Sequence, residues 1–353
     1  MKKYLVFFIL LNVSLLSFAQ KEEMKLITLR TSDTEVKIMN YGARIHQLKF
    51  RDTDLALGFD SPEEYTTHRQ NFGSVIGRYI GRILGGYLNI DGNEYMLQIR
   101  HNGDCSHGGS PNFGERYWKI LSQNDTTTTL RYISPDGENG FPGELTLDVT
   151  YTLTKTQDLR IDYKATTTKP TVLNIANHNF FNMTGDHASD VLDEELWLDA
   201  DSFAVYNMEK RVTGKLAPVH GSPFDFRKPH VIGERIDASN SQLNVTKGYD
   251  HCYRLNTNGD LSRPAARLVD KRTNITLEVY TTEPAMQVYT ANGHKGDMIG
   301  KGGKPHNRRN AICFETMHFP DSPNNPQWPS TVLRPGETFR STTIFHFING
   351  ISK

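Results

Sequence analysis

The chain is a succession of short runs in which apolar and polar residues alternate, cut by Gly, Pro, Asn or Asp. The clearest is LTLDVTYTL at 145–153. Leu145, Leu147, Val149, Tyr151 and Leu153 fall on one face of an extended segment, and Thr146, Asp148, Thr150 and Thr152 on the other. A period of two is what a strand with one buried face requires, because successive side chains point to opposite sides of the pleat. The alternation recurs at 35–39, 87–90, 94–99, 129–133, 159–165, 196–198, 275–280 and 342–347. Asp91-Gly92 between two such runs predicts a two-residue hairpin. No long stretch carries the period of an amphipathic helix. The expectation is an all-β fold with two large antiparallel sheets packed face to face.

The start of the chain stands apart. Lys2 and Lys3 precede an apolar run, and Ser17-Phe18-Ala19 has the small–x–small pattern cut after export. The run is shorter than the roughly 20 residues of a spanning helix, and no Cys follows the cut to carry a lipid anchor. Residues 1–19 are therefore expected to be a signal peptide, and the mature chain to be periplasmic or secreted. Residues 20–353 show no linker or composition shift and are expected to form one β-sandwich domain. Without Lys2 and Lys3 the 40 basic residues become 38 against 40 acidic ones, a net charge of −2. That balance argues against a nucleic-acid or membrane-surface partner. Cys105, Cys252 and Cys313 have neither zinc-site spacing nor a paired framework. Cys313 reads as buried in an apolar strand; a Cys105–Cys252 bridge is left open.

Five places carry candidate chemistry. The stretch 171–182, TVLNIANHNFFN, reads as a strand entering a core, with Asn174, Ala176, His178 and Phe180 on one face. His178 there is either a core histidine with both ring nitrogens hydrogen-bonded or a ligand-facing group. Arg78 and Arg82 lie four apart among Gly77 and Gly81, which in a strand would put both guanidinium forks on one face. His107 precedes Gly108-Gly109 in a predicted turn, and Asp250 sits between Tyr249 and His251. Glu315 lies in the apolar run Ala311-Ile312-Cys313-Phe314-Glu315, where an unpaired carboxylate would be costly to bury. The Gly- and Lys-rich stretch 293–310 lacks P-loop spacing and reads as a mobile surface loop bordering a ligand site. No second ligand stands at zinc spacing to His107 or His178, so no metal is expected. With reference pKa values near 4.3 and 6.5, Glu315 as base and His178 as acid suit a reaction that moves a proton between two oxygens.

Taken in order, these landmarks resemble the aldose 1-epimerase (galactose mutarotase) family over nearly the whole mature chain. They are Gly77-Arg78 with Gly81-Arg82-Ile83; His107-Gly108-Gly109 with Trp118; Ser134-Pro135-Asp136-Gly137-Glu138 with Phe141-Pro142-Gly143; Asn177-His178 with Phe181-Asn182; Asp225-Phe226-Arg227; Gly248-Tyr249-Asp250-His251; Cys313-Phe314-Glu315-Thr316; and Phe319-Pro320-Asp321. The resemblance implies a galactose mutarotase-like β-supersandwich, an aldose substrate, anomer interconversion and no cofactor. It also implies that Glu315 takes the C1 hydroxyl proton, that His178 protonates the ring oxygen, and that Arg82, His107 and Asp250 bind the sugar. Ser106, Gly81, Asn112 and Met317 depart from the family's usual Leu, Asn, Gly and Gln. They leave the five polar site residues intact and bear on which sugar is preferred. The competing reading is a carbohydrate-binding module on the same scaffold without turnover. A phosphorylated hexose is a weaker alternative, with only Lys295, Lys301 and Lys304 to meet a phosphate.

Overall fold

The computed structural model describes residues 23–68, 70–100 and 102–351; the expected signal peptide at 1–19 lies outside them. Three antiparallel sheets dominate. The largest has nine strands, in the order Lys119–Gln123, Thr127–Ser134, Leu145–Leu153, Asp158–Thr167, Phe339–Asn349, Ile275–Thr281, Ala266–Asp270, Glu195–Leu198 and His230–Val231. A five-stranded sheet runs Val212–Pro218, Ala200–Tyr206, Asp250–Leu255, Ala285–Tyr289 and Cys313–Met317, and Leu26–Asp54 supplies a four-stranded meander. In Leu145–Leu153 the alternate positions are buried and half-buried along the whole strand, as the sequence pattern requires. One hydrophobic core joins the three sheets. It takes Leu29, Val36 and Ile38 from the meander, Leu147, Val149, Leu277 and Phe345 from the nine strands, and Phe203, Tyr253, Met286 and Phe314 from the five. Each such side chain contributes about 1.5–3 kcal/mol through burial. The α-helices among the described residues are Glu64–His68 and Ser241–Thr246, and none is long and apolar enough to cross a membrane.

The predicted hairpin is present. Asp91 and Gly92 both have positive φ, +55° and +82°, and Ile90 pairs with Asn93. Positive φ at both turn positions matches the right-handed twist of the flanking strands. The second strand ends at Met96, short of 99, because Leu97 N donates instead to Gly86 O and Gln98 N to Asn139 O.

Three expectations are corrected, and one open question is answered. The stretch 171–182 is not one strand: only Thr171–Val172 and Ala176–Asn177 are regular, and they pair with Val332–Leu333 and Val75–Ile76. Its asparagine side chains take the place of backbone partners. Asn174 Nδ2 donates to His318 O and Asn174 Oδ1 accepts from His318 N, Asn177 Nδ2 donates to Gly73 O, and Asn182 Nδ2 donates to Asn310 O. Arg78 and Arg82 do not share a face. Gly81 at φ +81° breaks the extended path, and buried Arg78 instead donates to the carbonyls of Pro142 and Gly143 and to Ser134 Oγ. The 293–310 stretch is anchored rather than a free surface loop: His306 and Asn310 are buried, and Lys301 Nζ donates to Asp54 Oδ2 at 2.9 Å. The question left open was the Cys105–Cys252 bridge: both cysteines are free and buried like Cys313, in separate side-chain clusters.

Candidate active site

The five-stranded sheet supplies the floor of a cavity of about 260 Å³. In Cys313–Met317 the alternation sends Phe314 into the core and Glu315 and Met317 toward the cavity. Register does the rest. Glu315 lies opposite Gln287, and Asp250 opposite Tyr289, so all four line the cavity. A facing wall comes from a two-residue ladder in which Arg82 pairs with Ser106, with His107 in the turn that follows. The connection between Ala200–Tyr206 and Val212–Pro218 brings Tyr206, Lys210 and Val212 to the rim.

His178 arrives just past the Ala176–Asn177 pairing. Its N–H donates to Ser74 O at 2.8 Å, its ring stacks on Phe180 at 4.8 Å, and it meets His107 edge-on at 5.6 Å. Its Nε2 lies 3.4 Å from Glu315 Oε1, with the two side chains 7% and 5% exposed. Its Nδ1 is buried without a hydrogen-bond partner among the described residues. A core histidine with both ring nitrogens satisfied is therefore not what the fold holds. Arg82 Nη1 is likewise buried with no hydrogen bond among the described residues. All five residues expected from the sequence, His178, Glu315, Arg82, His107 and Asp250, line this one cavity.

Burial sets the electrostatics. It pushes the Glu315 carboxyl well above its usual range, and the nearby Asp250 charge adds to the shift. Burial also pulls His178 down to about 4, with His294 and Arg44 pushing the same way against a backbone hydrogen bond. Asp250 is raised by burial too, although Gln287 Nε2 donates to it at 2.7 Å and Lys210 and Arg82 oppose the rise. Burial thus works against the sequence-based ordering, in which Glu315 is ionised while His178 is protonated. Burial favours the neutral form of both groups.

Gln287, Tyr206, Lys210 and Tyr289 were not singled out in the sequence. Gln287 carried the same signal as Glu315, a polar residue in a largely apolar strand, AMQVY. Tyr206 and Lys210 carried none, since only the pairing of distant strands brings them to the cavity. Of the departures from the family pattern, Gly81, Ser106 and Met317 line the cavity. Asn112 instead caps a short turn, its side chain accepting from Gly114 N at 2.9 Å. Lys295, Lys301 and Lys304 lie outside the cavity wall; Lys301 is paired with Asp54 and Lys304 with Asp186. Among the described residues no group of three His, Cys, Asp or Glu side chains could hold a metal ion.

Comparison with known proteins agrees with this fold. Residues 25–346 match the aldose 1-epimerase family. The chain is 36% identical over 326 residues to the galactose mutarotase of Rattus norvegicus, covering 90% of this chain and 92% of that one. It is 35% identical over 332 residues to the aldose 1-epimerase of Escherichia coli K12, covering 92% and 95%. The crystal structure of galactose 1-epimerase from Lactobacillus acidophilus NCFM superposes with a TM-score of 0.84 at 28% identity, covering 94% and 96%. With an all-β scaffold, a cavity holding every expected polar residue, and this similarity over nine-tenths of its length, the chain belongs to the aldose 1-epimerase family.

Proposed function

We propose that Glu315 and His178 carry the proton transfers of this mutarotase, with glucose and galactose as substrates. The chain interconverts the α and β anomers of an aldose. The observation that carries the residue assignment is the buried 3.4 Å approach of His178 Nε2 to Glu315 Oε1, with the other ring nitrogen unpartnered. Two proton-transfer groups this close suit two oxygens bonded to one carbon, as O1 and the ring oxygen O5 are at C1.

Glu315 carboxylate takes the O1 proton, the C1–O1 double bond forms, the C1–O5 bond breaks, and O5 takes the proton from His178 imidazolium. Rotation about C1–C2 turns the other face of the aldehyde toward O5. Closure reverses the transfers: O5 adds to C1 and returns its proton to His178, while Glu315 returns its proton to O1. Nothing is consumed, and no redox change occurs.

The pKa directions bear on this cycle. After opening, Glu315 is protonated and His178 neutral, which is the pair of states that burial favours. The cavity is therefore biased toward the protonation state of the open-chain stage. The starting ion pair is supported by its own attraction at close range. Arg82, His107 and Asp250 are the groups placed to hold sugar hydroxyls, with Gln287 fixing the Asp250 carboxyl. The basic and apolar start of the sequence further supports export, so that free sugar outside the cytoplasm would be the substrate pool.

Polarimetry on freshly dissolved α-glucose and α-galactose tests the assignment. The mature chain should speed the approach to the same final rotation, and Glu315→Ala and His178→Ala should each abolish the acceleration without unfolding. A fully active Glu315→Ala variant would remove Glu315 from the mechanism. Saturable sugar binding without acceleration by the unmodified chain would point to a binding module.

A further inference from the structure

Arg82 lines the cavity, and what holds it lies behind it. Its Nη1 is 3.5 Å from Oδ2 of Asp104, too long for a hydrogen bond. Asp104 is fully buried, lies outside the cavity wall and takes part in none of the steps above. Its carboxylate is committed elsewhere. Gly85 N donates to Oδ1 at 3.0 Å, Arg211 Nη2 lies 3.1 Å from the same oxygen, and Arg211 Nε donates to Oδ2 at 3.1 Å. Arg211 is itself tied down, its Nη2 donating to Asn102 O at 2.6 Å. It belongs to the connection that carries Tyr206 and Lys210, so this fork links that connection to the segment bearing His107.

A carboxylate free to turn toward Arg82 would take Nη1 in a charge-assisted hydrogen bond of about 2.7–2.9 Å and draw the guanidinium back from the cavity. The Arg211 fork and Gly85 N hold the carboxylate back. Its negative charge still faces the guanidinium, offsetting the cost of keeping that cation in a largely enclosed position. We propose that Asp104, clamped by Arg211, is a positioning residue: it holds the buried Nη1 side of Arg82 by charge without drawing the guanidinium back, so that the rest of the fork faces the sugar. This rests on the reading that Arg82 binds the sugar.

The test is initial-rate polarimetry with α-galactose on the unmodified chain, Asp104→Asn, Arg82→Ala and the double variant, with a thermal melt of each. Asn keeps the shape and the acceptor for Gly85 N but removes the charge. Asp104→Asn should raise KM about tenfold, the scale of one hydrogen bond to a charged group, and change kcat less. In the Arg82→Ala background the same substitution should leave kcat/KM unchanged while lowering the melting temperature as before. A purely structural Asp104 would lower the melting temperature while leaving KM unchanged, or its loss would add to that of Arg82→Ala. Either outcome overturns the proposal while Arg82→Ala is itself impaired. Unimpaired Arg82→Ala would overturn the sugar-binding reading and the proposal with it. Should Asp104→Asn not fold, Arg211→Gln on the partly exposed partner replaces it. The unclamped carboxylate should then draw Arg82 back from the cavity and raise KM, again only when Arg82 is present; an unchanged KM would refute the clamp.

Discussion

Phe180 stacks on two histidines with different fates, His178 at 4.8 Å and His294 at 5.4 Å. His294 belongs to a buried polar region in which nearly everything is paired. His294 Nδ1 meets Asn310 Oδ1 at 2.8 Å, His306 Nε2 meets Gly58 O at 3.2 Å, and His187 Nε2 meets Asp54 O at 2.9 Å. Lys301 beside Asp54 bonds to both Asp54 Oδ2 and Ala56 O, while among the described residues Nδ1 of His46 and of His306 lacks a hydrogen bond, as His178 Nδ1 does. On the His178 side the two carboxyl groups are left without a cationic partner of this kind. Among the described residues neither Asp250 nor Glu315 has an Arg or Lys within ion-pair distance, and His178 Nδ1 and Arg82 Nη1 have no hydrogen bond. Residue type does not separate a structural cluster from a reactive one here. What separates them is whether the buried charges are already neutralised by a partner.

The largest effects should fall on opposite sides of that contrast. Glu315→Gln should cost about 10²–10⁴-fold in kcat, the usual range for loss of a general acid–base group. It should leave the melting temperature unchanged or raised, because it removes a buried ionisable group. Lys301→Met should do the reverse: about 3 kcal/mol of stability lost, since Asp54 is left buried and unpaired, with kcat/KM of the folded enzyme within about twofold. Chemical denaturation and polarimetry on the two variants would check the pair; similar stability losses in both would erase the distinction.

A smaller effect is expected with pH. Burial lowers His46, His178 and His306 to about 4. Between about pH 6.5 and 4 the unfolded chain therefore binds more protons at these sites than the folded one, and stability falls as pH falls. Glu315 and Asp250, raised by burial, act in the opposite direction on the cavity side. Acid lability should thus arise chiefly from the paired region, and His306→Asn should flatten the decline in melting temperature from pH 7 to 4.5. A decline of unchanged slope in that variant would place the lability elsewhere.

How far the sequence reaches follows the same division between local and distant effects. Leu145–Leu153 and Asp91-Gly92 were legible because alternation and turn chemistry are local. Glu315 stood out because a carboxylate in an apolar strand is costly, and the ordered motifs then led to His178, Arg82, His107 and Asp250. The fragmentation of 171–182 was not legible, since it depends on partners as distant as His318 and Asn310. The anchoring of 293–310 depends on Asp54 in the same way. The pull of burial on the pair was not legible for a related reason: reference pKa values describe solvated groups, and only the fold shows that both are buried.

The most direct test of the account is the pH dependence of kcat/KM, which reports the ionisations of the free enzyme. The Glu315–His178 pair must hold one proton between them. Activity should fall on the acid side near pH 4, where His178 takes a second proton. On the alkaline side it should fall well above the usual glutamate value of about 4.3, at an apparent pKa that belongs to the pair. An acid limb near 6.5, the value of a solvated histidine, would contradict the claim that the two groups work as a buried, proton-sharing pair.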